Sequence, residues 1–291
     1  MNSDAAPLLD RPARDLFDDH PACYSSVPPE LIDRIPVLLR DRTSKKNIVW
    51  ATDTYKDLGA GFRRDDEITP DNLLNKYDLL DSIRLQSRAM RTRKHGEVHT
   101  PLRICRQMCD DAHDILYKGD WREYVSATVL EIACGEAPFL ASRRDLESGE
   151  FVPVADRVGL LDRKLRVAGE NACAPEEWRQ WAFVAFESTY AYEYQGDNLF
   201  RARANLFLTY GEYLRERWDA EPSPEDLDRL AKILSWNVWQ MDGLTGAIPG
   251  AKLAKISQAA LFAPAAPDSG RACVIRDWKE DKVLPFMSIR G

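Results

Sequence analysis

The stretch VLEIACGEAPFL, residues 129–140, decides the fold of this chain. Its first half is a short apolar run of the kind that forms a buried strand, and Gly135 then allows a sharp turn. Glu131 is unusual within such a strand, and Gly135 is the only glycine of the stretch. The pattern predicts either a cofactor-binding loop or a plain buried strand that meets a helix.

The sequence after this stretch alternates predicted helices with short apolar strands. Helical patterns at 174–189 and 197–218 flank the strand YAYEYQ at 190–195, and a helix at 224–234 precedes the strand within SWNVWQMDGL at 235–244. This order predicts an α/β fold with a parallel sheet. Right-handed crossovers would place the carboxyl ends of the strands on one edge, where such sheets bind ligands.

The preceding sequence has a different character, so we predict a first region at 1–95 and a ligand-binding domain at 96–291. The first region is mainly helical or irregular, with a short helix at 28–42, a strand NIVWAT at 47–52 and a helix from Thr69 to Met90. Thr100 and Pro101 suit the N-cap and first position of the next helix.

Composition narrows the class of protein. The 291 residues are 44% hydrophobic and 30% charged with a net charge of −7, which is typical of a globular protein. No apolar run approaches the roughly 20 residues that span a bilayer, and we expect a cytoplasmic protein without a membrane partner. Cys105 and Cys109 lie one helical turn apart, but no second ligand pair accompanies them, which predicts structural thiols and no metal site.

The glycine turn disfavours a dinucleotide cofactor. A dinucleotide fingerprint requires three glycines as G-x-G-x-x-G, whereas Glu136 and Pro138 follow Gly135 here. A glutamate at this position would repel a pyrophosphate. A cofactor without phosphates, such as S-adenosylmethionine (SAM), fits better.

Two further acids follow the next predicted strands. Glu193 could accept hydrogen bonds from the ribose hydroxyls of an adenosine, and Asp242 could accept one from the adenine amino group. Each acid has a plain alternative, a surface glutamate beside the turn at 196–198 and an ordinary Asp-Gly turn. Three acids at three successive strand ends favour a nucleoside cofactor.

Taken together, these segments resemble the methyltransferase subunit of type II restriction–modification systems, which are SAM-dependent enzymes that methylate adenine amino groups in DNA. The resemblance spans residues 47–286 and includes GEVHTP at 96–101, EIACGEAPFL at 131–140, YAYEYQGDN at 190–198 and WQMDGL at 239–244. It implies a Rossmann-like class I SAM-dependent methyltransferase core, with DNA and a restriction subunit or second methyltransferase subunit as partners.

Carried over by position, the resemblance implies a SAM site of nine residues. These are His99, Thr100, Pro101, Glu131, Ala133, Cys134, Gly135, Glu193 and Asp242. Residues 99–101 would lie against the methionine end of SAM, and 131–137 matches the family motif D-P-A-C-G-S-G with Glu136-Ala137 in place of Ser-Gly. Glu193 takes the place of the ribose-binding acid, and Asp242 takes the place of the acid that contacts adenine.

The family's catalytic tetrapeptide, Asn/Asp-Pro-Pro-Tyr/Phe, is missing from the sequence. It binds the amino group of a base flipped out of the duplex, and we would expect it after residue 286. The only Pro-Pro, at 28–29, predicts a helix start instead. No catalytic residue is therefore assigned, which leaves two hypotheses: an enzyme that a partner chain completes, and a catalytically incomplete SAM-binding subunit.

Charge distribution keeps further alternatives open. Residues 84–106 contain seven Lys or Arg residues and one acid, Glu97, which predicts either a solvated helix face or a surface that binds phosphate. The phosphate interpretation favours DNA as substrate, whereas the net negative charge favours a small-molecule methyltransferase. A nicotinamide dehydrogenase is disfavoured by the glycine count. The 58-residue separation of Gly135 from Glu193 exceeds the usual spacing of about 20.

Overall fold

A three-stranded parallel sheet organises the chain. The computed structural model describes residues 27–95, 97–98, 100–250 and 272–289. The strands are β1 (Val129–Ile132), β2 (Thr189–Glu193) and β3 (Val238–Gln240), in the spatial order β1-β2-β3. The predicted α/β fold with a parallel sheet flanked by helices is confirmed, and it is compatible with a Rossmann-like core, although the sheet is small.

Helices precede the sheet and connect its strands. Within the described residues they are α1 (Pro29–Ile32), α2 (Ile35–Leu38), α3 (Pro70–Leu74), α4 (Tyr77–His95), α5 (Leu102–Leu116), α6 (Trp121–Ser126), α7 (Leu160–Asn171), α8 (Pro175–Glu187), α9 (Gly196–Trp218) and α10 (Pro224–Asn237). Helices α7 and α8 connect β1 to β2, and α9 and α10 connect β2 to β3. An antiparallel hairpin of β4 (Val274–Asp277) and β5 (Lys282–Pro285) follows. No helix in these ranges is long and apolar enough to span a membrane.

Side-chain caps explain where several helices begin. Thr69 accepts the N–H of Asn72 in a capping box at the start of α3, which confirms the predicted start. The predicted continuous helix to Met90 is wrong, because α3 ends at Leu74 and α4 begins at Tyr77. Asn75 follows α3, and its side chain competes for backbone hydrogen bonds and disfavours a helix interior.

Two other local predictions are corrected. Thr100 is not the N-cap of α5: Pro101 holds that position with ψ of 146°, which is extended, so the helix begins at Leu102. The predicted strand at 47–52 forms only isolated bridges. Its backbone bonds to several separate segments, for example to the carbonyls of Leu39 and Asp66. The Gln240 amide also accepts from the Val49 N–H at 2.9 Å and donates to the Val49 carbonyl at 2.8 Å.

The two faces of the sheet carry separate apolar clusters. Val129, Ala191 and Val238 belong to the larger cluster, which also contains residues of the first 95 such as Trp50 and Leu73. The opposite face carries a smaller cluster, whose members are Trp239, Met241, Cys273, Ile275 and Phe286 with Tyr190 and Tyr192 packed against it. The β4–β5 hairpin therefore covers β2 and β3 on that face.

Candidate functional site

A cavity of about 890 Å³ lies at the carboxyl ends of β1 and β2 and along the whole of β1. Its size falls within the range of roughly 300–1,000 Å³ that is usual for ligand pockets. The loop 133–140, α5 and the residues Glu97, Val98 and Thr100 complete its walls. Six of the nine predicted site residues line it, namely Thr100, Glu131, Ala133, Cys134, Gly135 and Glu193.

The other three predicted residues have different positions. His99 lies outside the described residues. The Pro101 carbonyl accepts from the first turn of α5. The Asp242 carboxylate accepts the Leu244 N–H at 2.9 Å, so it closes its own turn, as the plain Asp-Gly interpretation predicts. Neither Pro101 nor Asp242 belongs to the cavity lining.

The loop after β1 has an unusual backbone. Ala133, Gly135 and Ala137 have φ values of +51°, +57° and +61°, in the left-handed region that costs a residue with a Cβ about 1–2 kcal/mol. A Cβ added to Gly135 would meet no atom within 4 Å, so its glycine serves the backbone conformation and not close packing. The Cys134 N–H donates to the Tyr192 carbonyl at 3.0 Å, which ties the loop to β2.

Glu193 holds this loop from the end of β2. Its carboxylate accepts the Gly135 N–H at 2.9 Å and, on the other oxygen, the Gln195 N–H at 3.0 Å. Burial raises the pKa of Glu193, while these backbone hydrogen bonds act in the opposite direction. The two carboxylate oxygens have four lone pairs, which exceed the three backbone hydrogen bonds that Glu193 receives.

Glu131 lies in the middle of β1, close enough to Glu193 for their charges to repel. Its Oε2 is buried and makes no hydrogen bond. Burial and the neighbouring Glu193 raise the pKa of Glu131 well above its usual value, although a backbone hydrogen bond from Phe139 opposes them. A buried carboxylate without a counter-charge is costly, and the raised pKa means that Glu131 takes up a proton more readily than a free carboxyl group does.

Two further acids of the cavity wall are neutralised by arginines. Glu136 pairs with Arg84, and Glu97 accepts from Arg91 Nε at 2.8 Å. Burial alone would raise the pKa of Glu136, but the guanidinium groups of Arg84 and Arg201 lower it below its usual value. We call Glu97 and Glu136 the compensated acids, and Glu131 and Glu193, which have no salt-bridge partner in the described residues, the uncompensated acids.

These ion pairs account for two of the seven basic residues at 84–106, whereas Arg93, Arg103 and Arg106 are exposed. Arg91 is fully buried and donates from Nη1 to Asp197 Oδ2 at 2.6 Å, where the Tyr55 hydroxyl also donates at 2.8 Å. Arg84 and Arg91 therefore belong neither to a solvated face nor to a phosphate-binding surface. Glu97, which we did not predict as a site residue, fastens the cavity wall to α9. The sequence feature that could have indicated this role is that Glu97 is the single acid among the basic residues at 84–106.

Three buried cysteines beside the cavity have raised pKa values. Burial raises the pKa of Cys109 to about 12 and that of Cys105 to about 11, and it raises the pKa of Cys134 well above its usual value. All five cysteines of the described ranges are free, and these ranges contain no group of three His, Cys, Asp or Glu residues placed to hold a metal. Thiolate chemistry is therefore disfavoured at this site.

Comparison of the chain with protein-family models, curated proteins and solved structures gives no match. The geometry of the cavity is therefore the observation on which a function can be argued. It is a glycine turn between two strand ends, beside four carboxylates, with no Lys or Arg among the described lining residues.

Proposed function

We propose that this chain binds SAM in the cavity and takes part in methylating adenine amino groups in DNA, within a restriction–modification or defence system. The observation that carries the proposal is the pair of uncompensated acids, Glu131 and Glu193, in the cavity wall. SAM has a positively charged sulfonium and a positively charged amino group. A cation beside these carboxylates would offset their desolvation and mutual repulsion.

The same charges argue against the other nucleotide cofactors. A dinucleotide brings a pyrophosphate with two negative charges, and the described lining offers four carboxylates and no Lys or Arg to receive it. A Rossmann-like class I methyltransferase core fits this charge pattern better than a dehydrogenase. The glycine turn also suits a methyltransferase core, and so do the acceptor positions that Glu193 would offer to a ribose.

The chain's own residues position and desolvate the ligand. When bound, SAM supplies an electrophilic methyl group. Glu193 would accept from the ribose hydroxyls while its other lone pairs hold Gly135, so one side chain couples ligand and loop. Glu131 would face the positive end. Direct transfer of a methyl group depends mainly on such positioning, for which no covalent intermediate is needed.

A second candidate function is a SAM-binding subunit without transferase activity of its own. The only Pro-Pro of the sequence is at 28–29, and Pro29 starts the short helix α1, which belongs to the N-terminal packing. On this assignment, the chain organises a larger complex and transfers no methyl group. The first candidate differs in that a partner chain or an atypical loop of this chain supplies the groups that bind the flipped base.

Calorimetric titration of SAM into the purified chain tests the cofactor assignment. We expect saturable binding of SAM, weaker binding of S-adenosylhomocysteine because its sulfur is neutral, and no binding of NADH. Asp242→Asn is the matched control, because this acid lies outside the cavity lining and its substitution should leave SAM affinity unchanged. Absence of SAM binding would contradict both candidate functions.

Transfer of tritium-labelled methyl groups separates the two candidates. The chain is incubated with labelled SAM and either duplex DNA or a mixture of small-molecule acceptors, with and without the product of a neighbouring reading frame. Label in DNA adenine supports the enzyme. SAM binding without transfer in any mixture supports the binding subunit, and label only in small molecules would contradict the DNA assignment.

A further inference from the structure

The outer edge of β1, residues 129–132, has no strand beside it in the described structure. β1 pairs only with β2, and alternate residues of a parallel strand direct their N–H and C=O groups to opposite sides. Half of the β1 backbone groups therefore face away from the sheet. Parallel sheets are almost always covered on both faces, and natural proteins protect their edge strands.

The opposite edge shows how this chain protects a strand. The Val238 carbonyl of β3 accepts Arg203 Nε at 2.7 Å, and the Gln240 carbonyl accepts the Cys273 thiol at 3.4 Å. The Gln240 side chain also pairs with the Val49 backbone. β3 is thus closed by the chain itself, whereas no described strand pairs with the outer edge of β1.

Apolar side chains surround the open edge. In the strand register, Leu130 and Ile132 lie beside Tyr190 and Tyr192, but the smaller cluster covers only the tyrosines. Ile132 is 66% exposed and Leu130 is 44% exposed. Three more exposed apolar residues line the same cavity: Val98, Met108 and Leu244. An exposed apolar group of this kind marks a protein-interaction site more often than free surface.

We propose that the β1 edge binds a strand of a partner polypeptide, which extends the sheet. A strand satisfies the outward backbone groups, which a helix cannot do. Its side chains facing Leu130 and Ile132 would be apolar. A Lys or Arg near an end of this strand would complement the acidic lining of the cavity. Because the cavity runs along β1, this strand would form one of its walls.

Charge also argues against a second copy of this chain as the occupant. A two-fold axis at the β1 edge would pair the two strands antiparallel. Over a four-residue ladder, the two Glu131 side chains would then come close together beside two acidic cavities. Like charges at such positions are destabilising. The inference concerns the sheet and holds whether or not the cavity binds SAM.

Hydrogen–deuterium exchange of the full chain tests the proposal without SAM. The probe is a synthetic strand peptide with alternating Val and Thr and a Lys near each end, and its control carries a central Pro, which removes backbone pairing. At about ten times its Kd, the probe should slow exchange of the fragment containing 129–132 by about tenfold. The proline peptide should have no effect.

A variant pair ties the effect to the edge. Ile132→Lys should abolish the protection, whereas Val283→Lys, at a strand position that is 48% exposed in β5, should preserve it. Thermal unfolding checks that each variant folds. If Ile132→Lys does not fold, the comparison of the probe with the proline peptide on the unmodified chain decides the test. Three results would overturn the proposal. The first is that the probe gives no protection. The second is that residues 129–132 of the chain without the probe are protected in a way that rises with protein concentration, which indicates a second copy, and the third is such protection without any dependence on concentration, which indicates another segment of the chain.

Discussion

The compensated and uncompensated acids of the cavity wall are the same residue type with opposite surroundings. Glu97 and Glu136 each pair with an arginine of α4, and Arg91 also pairs with Asp197 of α9. Glu131 and Glu193 have only backbone hydrogen bonds, and neither has a salt bridge in the described structure. The difference teaches that burial of a carboxylate does not itself indicate a ligand. The absence of a counter-charge does.

Removing an arginine from a compensated acid should have the largest effect. Arg91→Met leaves Glu97 and Asp197 buried without their partner, so we expect the free energy of unfolding to fall by about 3–5 kcal/mol. Chemical denaturation measures this change. Arg93→Met, an exposed position of the same helix, should change it by less than about 0.5 kcal/mol. Equal effects of the two substitutions would remove the distinction between the acids.

Removing an uncompensated acid should instead affect ligand affinity. Glu193→Ala should weaken SAM binding by about 1–3 kcal/mol, because ribose hydroxyls lose their acceptor and the Gly135 N–H is released. Calorimetry measures the change, with the exposed Glu216→Ala as its control. Unchanged affinity in Glu193→Ala would exclude this acid from the site.

Glu131→Gln should make stability less dependent on pH. A carboxyl whose pKa is raised by folding stabilises the protein fully below its unfolded-state value of about 4.3, and this contribution is lost as pH rises through the folded-state value. Glutamine has no such loss. The free energy of unfolding of the variant should therefore rise relative to that of the wild type between acidic and neutral pH. Parallel curves against pH would contradict the uncompensated state of Glu131.

The smallest expected effect concerns Gly135, which follows the strand of Glu131 and whose N–H binds Glu193. Gly135→Ala keeps the space around the residue open but must adopt φ of +57°, so it should cost about 1 kcal/mol of stability. A thermal melt compares it with Gly149→Ala, where φ is +78° and a Cβ also meets nothing. SAM affinity should fall only in Gly135→Ala, since Gly149 is outside the cavity lining.

Local patterns predicted much of the fold, and the remainder depended on distant partners. The apolar run at 129–132 and the helices after residue 174 were recognisable from periodicity, and six of nine predicted site residues line one cavity. The segment predicted as a strand at 47–52 forms no ladder because its backbone groups bond to several separate segments and to the side chain of Gln240. The pairing of Arg91 with Asp197, 106 residues away, could not be predicted from the charge of its own helix.

The dependence of SAM affinity on pH tests the central claim most directly. If a cationic ligand restores the charge of Glu131, binding releases a proton and affinity rises as pH increases toward the raised pKa of this carboxyl. Calorimetry between about pH 5 and about pH 8 should show this rise in the wild type and a flatter profile in Glu131→Gln. Identical profiles in the two proteins, or no SAM binding in either, would contradict the claim that the cavity's uncompensated acids select a cation.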